Sequence, residues 1–305
     1  MGNWTEKMKP ISSRFTWVLL PLLLLTFVSA GQPEPIPPLA VTAGELLDKI
    51  KAQLTCDWAT ETVDTYKGGG PDVEVTGIAT TFLATLDVLK RAKARGLNFV
   101  ITHEPTFYNH FDRTEQYGDD EVLAAKQKFI ADNDMIVFRF HDHWHRTAPD
   151  GIYKGMTAKL GWEAYSRDGS QYYYDLPPMS LKKLAKQLKK KFARSTIRVV
   201  GDIDTEVSRI GLVLGAAGSM RQIESLQRDD VEVVIAGEVP EWETVEYIRD
   251  AVSMGKKKAL ILLGHANSEE AGMAYCADWL KTFISEVPVE FIPAGDPFWS
   301  PGTRQ

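Results

Sequence analysis

The sequence predicts an α/β fold. From Thr42 onward, short β-rich runs alternate with longer segments of helical periodicity, the pattern of sheets flanked by helices. Residues 98–102 are apolar enough to lie inside a sheet with both faces covered. The chain has 305 residues, 44% hydrophobic and 25% charged, which is globular composition at a length that suits one large domain or two lobes with their own cores.

Residues 42–54 read as a helix capped by Thr42, with Leu46, Leu47 and Ile50 along one face. Beyond a glycine-rich turn at 68–71, residues 73–80 read as a strand, 82–95 as a helix and 98–102 as a second strand. A helix at 120–132 leads into a strand at 135–140, and the first lobe, 42–161, closes near Gly161. The second lobe, 162–305, has its first marked segment at 172–178. It continues into a lysine-rich helix at 181–192, where Leu181, Leu184, Leu188 and Phe192 supply a buried stripe and the lysines a solvated face. Strands follow at 197–200, 209–214 and 231–236, then a helix at 243–254, a strand at 259–263, a helix at 269–285 and a closing strand at 289–293.

Ahead of this, Lys7, Lys9 and Arg14 precede an apolar run at 15–28 and the small residues Ser29 and Ala30, the layout of a secretory signal peptide over 1–30. The run is shorter than the ~20 residues a spanning helix needs, which favours cleavage near Ala30 over a lasting membrane anchor. The expected protein is therefore secreted or periplasmic, and membrane-anchored only if uncleaved. A Pro-rich linker, 31–41, joins the leader to the fold. The formal net charge of −6 becomes more negative once the leader is gone, which argues against nucleic acid as a main partner. Cys56 and Cys276 read equally well as a pair in an exported protein or as two buried thiols.

The chemistry gathers at three strand ends, where open α/β sheets bind ligands. The first runs into His103 and Glu104, followed by Pro105. The second holds His141, His143 and His145, three of the chain's six histidines, which share a face with Arg139 if the strand stays extended. A bend before His145 is expected, so not all three imidazoles are taken as ligands, and His110 and His143 also read as ordinary hydrogen-bonded histidines. The third carries His265 and, four residues on near a helix start, Glu269. Imidazole with carboxylate suits Zn, Mn or Fe, and the lack of Cys in the set speaks for an open, catalytic type of site.

These motifs, Thr102-His103-Glu104-Pro105, His141-Asp142-His143-Trp144-His145, Ala236-Gly237-Glu238 and Gly264 through Glu269, resemble the NGG-one-interacting-factor-three-like family, also labelled GTP cyclohydrolase I type two. The resemblance implies two intertwined α/β lobes with mixed sheets, a dinuclear metal centre between them and a ring-shaped homohexamer. It carries His103, Glu104, His145, His265 and Glu269 over as ligands, with His141 as a near neighbour. Two departures stand out: Glu104 and His145 occupy positions where the family pattern has histidine and aspartate, and Trp242 stands where a histidine is expected.

The expected function is metal-assisted hydrolysis of a small phosphate- or carbonyl-containing molecule by two divalent ions per chain, with Glu238 as general base. The competing expectation is a hexameric protein that binds or buffers metal without turnover. A third is an oligomeric scaffold with a vestigial site. The glycine-rich run at 213–220 suits either a phosphate held on backbone amides or close packing of helix on sheet.

Overall fold

The computed structural model describes residues 1–2, 40–192 and 196–298, so the leader and nearly all of the Pro-rich linker lie outside the described residues. Helix α1 (Ala43–Ala52) begins on a capping box: the Thr42 hydroxyl accepts from the Glu45 N–H while Glu45 accepts from the Thr42 N–H. Leu46, Leu47 and Ile50 are buried, as the periodicity requires.

The chain then forms β1 (Tyr66–Gly68), β2 (Ile78–Thr81), α2 (Leu86–Ala94), β3 (Phe99–Thr102), α3 (Glu121–Asp132) and β4 (Ile136–Arg139). Next come α4 (Asp142–Arg146) and α5 (Gly151–Leu160). The second half contributes β5 (Tyr173–Ser180), α6 (Leu181–Lys191), β6 (Arg198–Val200), β7 (Glu206–Val213), α7 (Ser219–Gln227), β8 (Val233–Ala236), α8 (Glu246–Ser253), β9 (Ala259–Leu262), α9 (His265–Leu280) and β10 (Val289–Phe291). Among the described residues these build two five-stranded mixed sheets, in the orders β1-β4-β3-β2-β10 and β5-β7-β8-β9-β6. The last strand returns to pair in parallel with β2, so the first sheet is completed by residues from the far end of the chain.

Within each sheet the central strands run parallel, β2-β3-β4 in one and β7-β8-β9 in the other, so their carboxyl ends collect on one edge. Residues 78–81, 99–102, 136–139, 233–236 and 259–262 are buried throughout, as strands covered on both faces must be. Pro177 and Pro178 lie in edge strand β5, within an interruption of its register with β7, where a missing N–H does least harm.

Strand β1 was not expected and the strand expected at 73–80 begins only at Ile78; three further departures lie near the site. The strand at 135–140 stops at Arg139, and α4 turns the histidine segment into a helical turn, so Arg139, His141, His143 and His145 do not share one extended face. The last helix begins at His265, not at 269. Helix α5 was not anticipated because part of its buried face is glycine: a Cβ on Gly155 would strike the Ala271 carbonyl and one on Gly272 would strike Ile152, so α5 and α9 touch backbone to backbone. That contact leaves only a narrow apolar stripe, Ile152, Met156 and Leu160, to read. Cys276 is buried in α9 and Cys56 half-buried, both as free thiols. Among the described residues, no helix is long and apolar enough to cross a membrane.

Candidate metal centre

His103 and Glu104 follow β3 directly, and His103 is wholly buried. Its Nδ1 lies 3.3 Å from the Phe140 carbonyl, which directs Nε2 away from β4 and into the space between the two halves. There Nε2 is 3.5 Å from Oε2 of Glu269 and has no hydrogen-bond partner, an unusual state for a buried ring nitrogen.

Asp64 builds the turn that carries the next two histidines. Its Oδ1 accepts from the N–H groups of His141 and Asp142 at 2.7 and 2.9 Å, and its Oδ2 from the N–H of His143 at 2.9 Å. His143 Nδ1–H donates to Oδ2 at 2.6 Å, and its Nε2 accepts from the Ala59 N–H at 2.9 Å, which defines the neutral tautomer. With its ring stacked 3.7 Å from Trp58, His143 is committed to the scaffold. His141 and His145, four apart on α4, instead turn toward His103, with ring centroids 4.6 and 4.9 Å from it.

Each inward histidine is held from behind. Nδ1–H of His141 donates to Asp142 at 2.9 Å, and that of His145 to Oδ2 of Asp150 at 3.0 Å. Asp150 also caps α5, its Oδ1 accepting from Ile152 and Tyr153. His265 opens α9, its Nδ1–H donating to Glu238 at 3.0 Å, with Nε2 2.9 Å from Glu269 and 3.3 Å from Glu104. A carboxylate or carbonyl behind each imidazole, with Nε2 aimed at a shared space, is the outer-partner arrangement of metal-binding histidine.

Two overlapping groups result, His103 with His141 and His145, and His103 with Glu104 and Glu269, with donor atoms within 4.8 Å of one another in each. These groups hold five of the six residues expected at the centre, and His265, in neither group, lies against Glu104 and Glu269. The donor chemistry, imidazole nitrogen and carboxylate oxygen, fits a divalent transition metal, and the unpartnered Nε2 of His103 is what such an ion would occupy.

The electrostatics agree. Burial works against ionised Glu104, yet the His265 and His103 rings outweigh it and hold the carboxyl at about 2. Burial likewise opposes ionised Glu269, and the same two histidines hold it well below the usual carboxylate range. Burial and the neighbouring His103 push His141 down to about 4, so it is neutral at pH 7 with Nε2 ready to donate electrons. His145 is raised, because the bond to Asp150 overcomes its burial. His265 is lifted against burial by Glu104, Glu238 and Glu269 to about 12, so a cation bound there would take the place of that proton.

Sequence reasoning missed the supporting residues Asp64, Asp142 and Asp150, each a single carboxylate with no spacing signal. It also left Gly215 open between two roles. Gly215 has φ +62, and a Cβ there would run into the Glu269 carboxylate, so this glycine makes room for the Glu269 side chain. Glu238 is 59% exposed at the rim, and Trp242, 79% exposed, lies in the single π-helical turn Glu241–Val245 that follows it.

Four imidazoles and two carboxylates thus gather between the two sheets of an α/β protein, a set of donors that could hold a metal ion. The family model Duf34/NIF3 (NGG1p interacting factor 3) matches residues 43–297, and the chain belongs to that family. It is 24% identical over 212 residues to a GTP cyclohydrolase 1 type 2 homolog of Clostridium acetobutylicum, covering 66% of this chain and 75% of that protein. A protein of the same description from Clostridium perfringens is 22% identical over 243 residues, with 75% and 88% covered. Among solved structures, a hypothetical protein of Staphylococcus aureus aligns at TM-score 0.67 and 18% identity over 86% of this chain and 99% of its own. The Bacillus cereus protein related to NIF3 aligns at 0.65 and 13%, with 84% and 98% covered. At these identities the structural likeness concerns the fold.

Proposed function

We propose that this protein is a divalent-metal hydrolase acting on a small phosphate- or carbonyl-containing molecule. The observation that carries this reading is the buried, unpartnered Nε2 of His103 at the meeting point of both donor groups. His103, His141, His145, His265, Glu104 and Glu269 would hold the ions, and six donors shared between two ions leave each with about three protein ligands, the open type of site. A bound pair of such ions supplies charge stabilisation at a phosphoryl or carbonyl oxygen and a hydroxide at neutral pH.

The chain's own residues orient the donors and hold protons. Asp142 and Asp150 keep the protons of His141 and His145 on Nδ1, leaving Nε2 free to bind. Glu238 does the same for His265, and that bond, against a smaller effect of burial, lowers its carboxyl below the usual range. So weak a base serves better as an anchor for His265 than in taking a proton from water.

The curated relatives are described by a reaction on GTP, but the proposed export of this chain makes a cytosolic nucleotide a poor match, so its substrate is sought among other phosphoesters. The test is hydrolysis of model phosphodiesters and cyclic nucleotides by the metal-loaded chain. Activity lost with a chelator, and on Glu269→Gln, supports the reading; tight metal binding with no turnover on any of them sinks it. That second outcome fits a binding or buffering protein in which all six donors close on one ion. The same proposal has the chain exported and hexameric, so native mass spectrometry of the exported protein is expected to give six chains, each beginning at Gly31. Monomers, or an intact leader, would contradict that part of the reading.

A further inference from the structure

Arg139 is fully buried at the end of β4, yet it touches no donor nitrogen of the metal centre. Its guanidinium ties together three pieces of chain. Nε donates to the His103 carbonyl at 3.2 Å, and Nη1 donates to the His110 carbonyl. Nη2 has no hydrogen-bond partner and lies 3.6 Å from Oε2 of Glu104.

The charges around it decide which acid it serves. Asp112 is 3.7 Å from Nη1, but it already has Lys67 at 3.1 Å, with a side chain that is also buried. Three buried cations, Lys67, Lys126 and Arg139, thus stand against the two acids, and with Lys67 paired to Asp112 and Lys126 attracted to it as well, the guanidinium is left to Glu104. Without that carboxylate it would be a buried charge lacking a partner, which proteins avoid at considerable cost. Glu104 is meanwhile split between two environments. Oε2 points to Arg139, while Oε1 faces the imidazoles, 3.3 Å from Nε2 of His265 and 3.8 Å from Nε2 of His141.

We infer that Arg139 is a positioning residue: it holds Oε2 of Glu104 away from the histidines, so that Glu104 offers a single oxygen, Oε1, to a bound cation. This rests on the metal-centre reading above. The buried guanidinium is what lets a carboxylate serve at position 104, and an imidazole there would have no use for it.

Cobalt(II) alone is the probe, titrated into the metal-free chain and followed by its visible absorption, which reports both affinity and ligand environment. Arg139→Met is expected to weaken cobalt binding by roughly 10–100-fold, the usual cost of losing an outer partner, and to change the absorption bands. In a Glu104→His background the same substitution should change affinity less than about twofold, because the interaction it removes is already absent. Equal losses in both backgrounds would show that Arg139 serves only the backbone carbonyls and overturn the inference, as would wild-type binding by Arg139→Met. Should Arg139→Met not fold, Arg139→Lys keeps the charge but loses the fork. A partial loss in the Glu104 chain and none with His at 104 then supports the inference, and full binding in both overturns it. A wild-type chain that takes up no cobalt overturns the metal-centre reading itself, a result distinct from the others.

Discussion

Replacing His103 with alanine is expected to strip the protein of bound metal. Purified without a metal-affinity tag, the wild-type chain should carry about two divalent ions, the number a paired hydrolytic centre needs. His103 belongs to both donor groups, so its loss weakens both positions together. The affinity should fall by more than the roughly 10–100-fold that removing an outer partner costs. Stability provides an independent reading. In the metal-free chain Nε2 of His103 is a buried polar atom without a partner, so its removal relieves one unfavourable group while opening a small cavity. The melting temperature of the metal-free variant should stay near that of the wild type, whereas the rise that metal confers on the wild type should vanish. Elemental analysis showing unchanged metal content in His103→Ala would remove the basis for the proposed centre.

Asp64→Ala should be the most damaging substitution to the fold near the site. The carboxylate is buried and accepts four hydrogen bonds, three from the N–H groups that open α4 and one from His143 Nδ1. Alanine leaves those four donors buried and unmatched, and at about 1–3 kcal/mol for each buried group left unsatisfied the loss amounts to several kcal/mol. That is a large part of the about 5–15 kcal/mol that holds a typical domain together. Because α4 carries His141 and His145, metal binding should weaken even at temperatures where the variant is still folded. Denaturant unfolding of the metal-free chain measures the first effect and a cobalt(II) titration the second. A loss under about 1 kcal/mol with full metal affinity would mean that α4 holds its shape without Asp64.

Much of the site was legible because its residues are rare and fall at strand ends. Histidine is scarce in this chain, and His103, His141, His145 and His265 each follow a short apolar run that could only be an interior strand. Glu104 and Glu269 were legible by their spacing to those histidines. Spacing alone did not say which of three alternating histidines would turn inward; the family resemblance pointed to His145 with His141 beside it. The outcome depends on whether the backbone after Arg139 is extended or helical, and the helical turn is stabilised by Asp64, some 77 residues earlier in sequence. The same holds for Gly215, whose turn glycine could equally have served packing until the Glu269 carboxylate was found against it.

By itself, then, the sequence determined the α/β class, the interior strands, the capped first helix and the histidines and carboxylates that could hold a metal. These are local matters, decided by periodicity, capping and side-chain type within a few residues. Only the tertiary structure decided that β10 completes the first sheet, that His143 belongs to the scaffold while His141 and His145 face His103, and that Arg139 is matched to Glu104. Those outcomes are set by contacts between segments far apart in the chain, where burial forces each charge and hydrogen-bond donor to find a partner, and no local pattern records which one it finds.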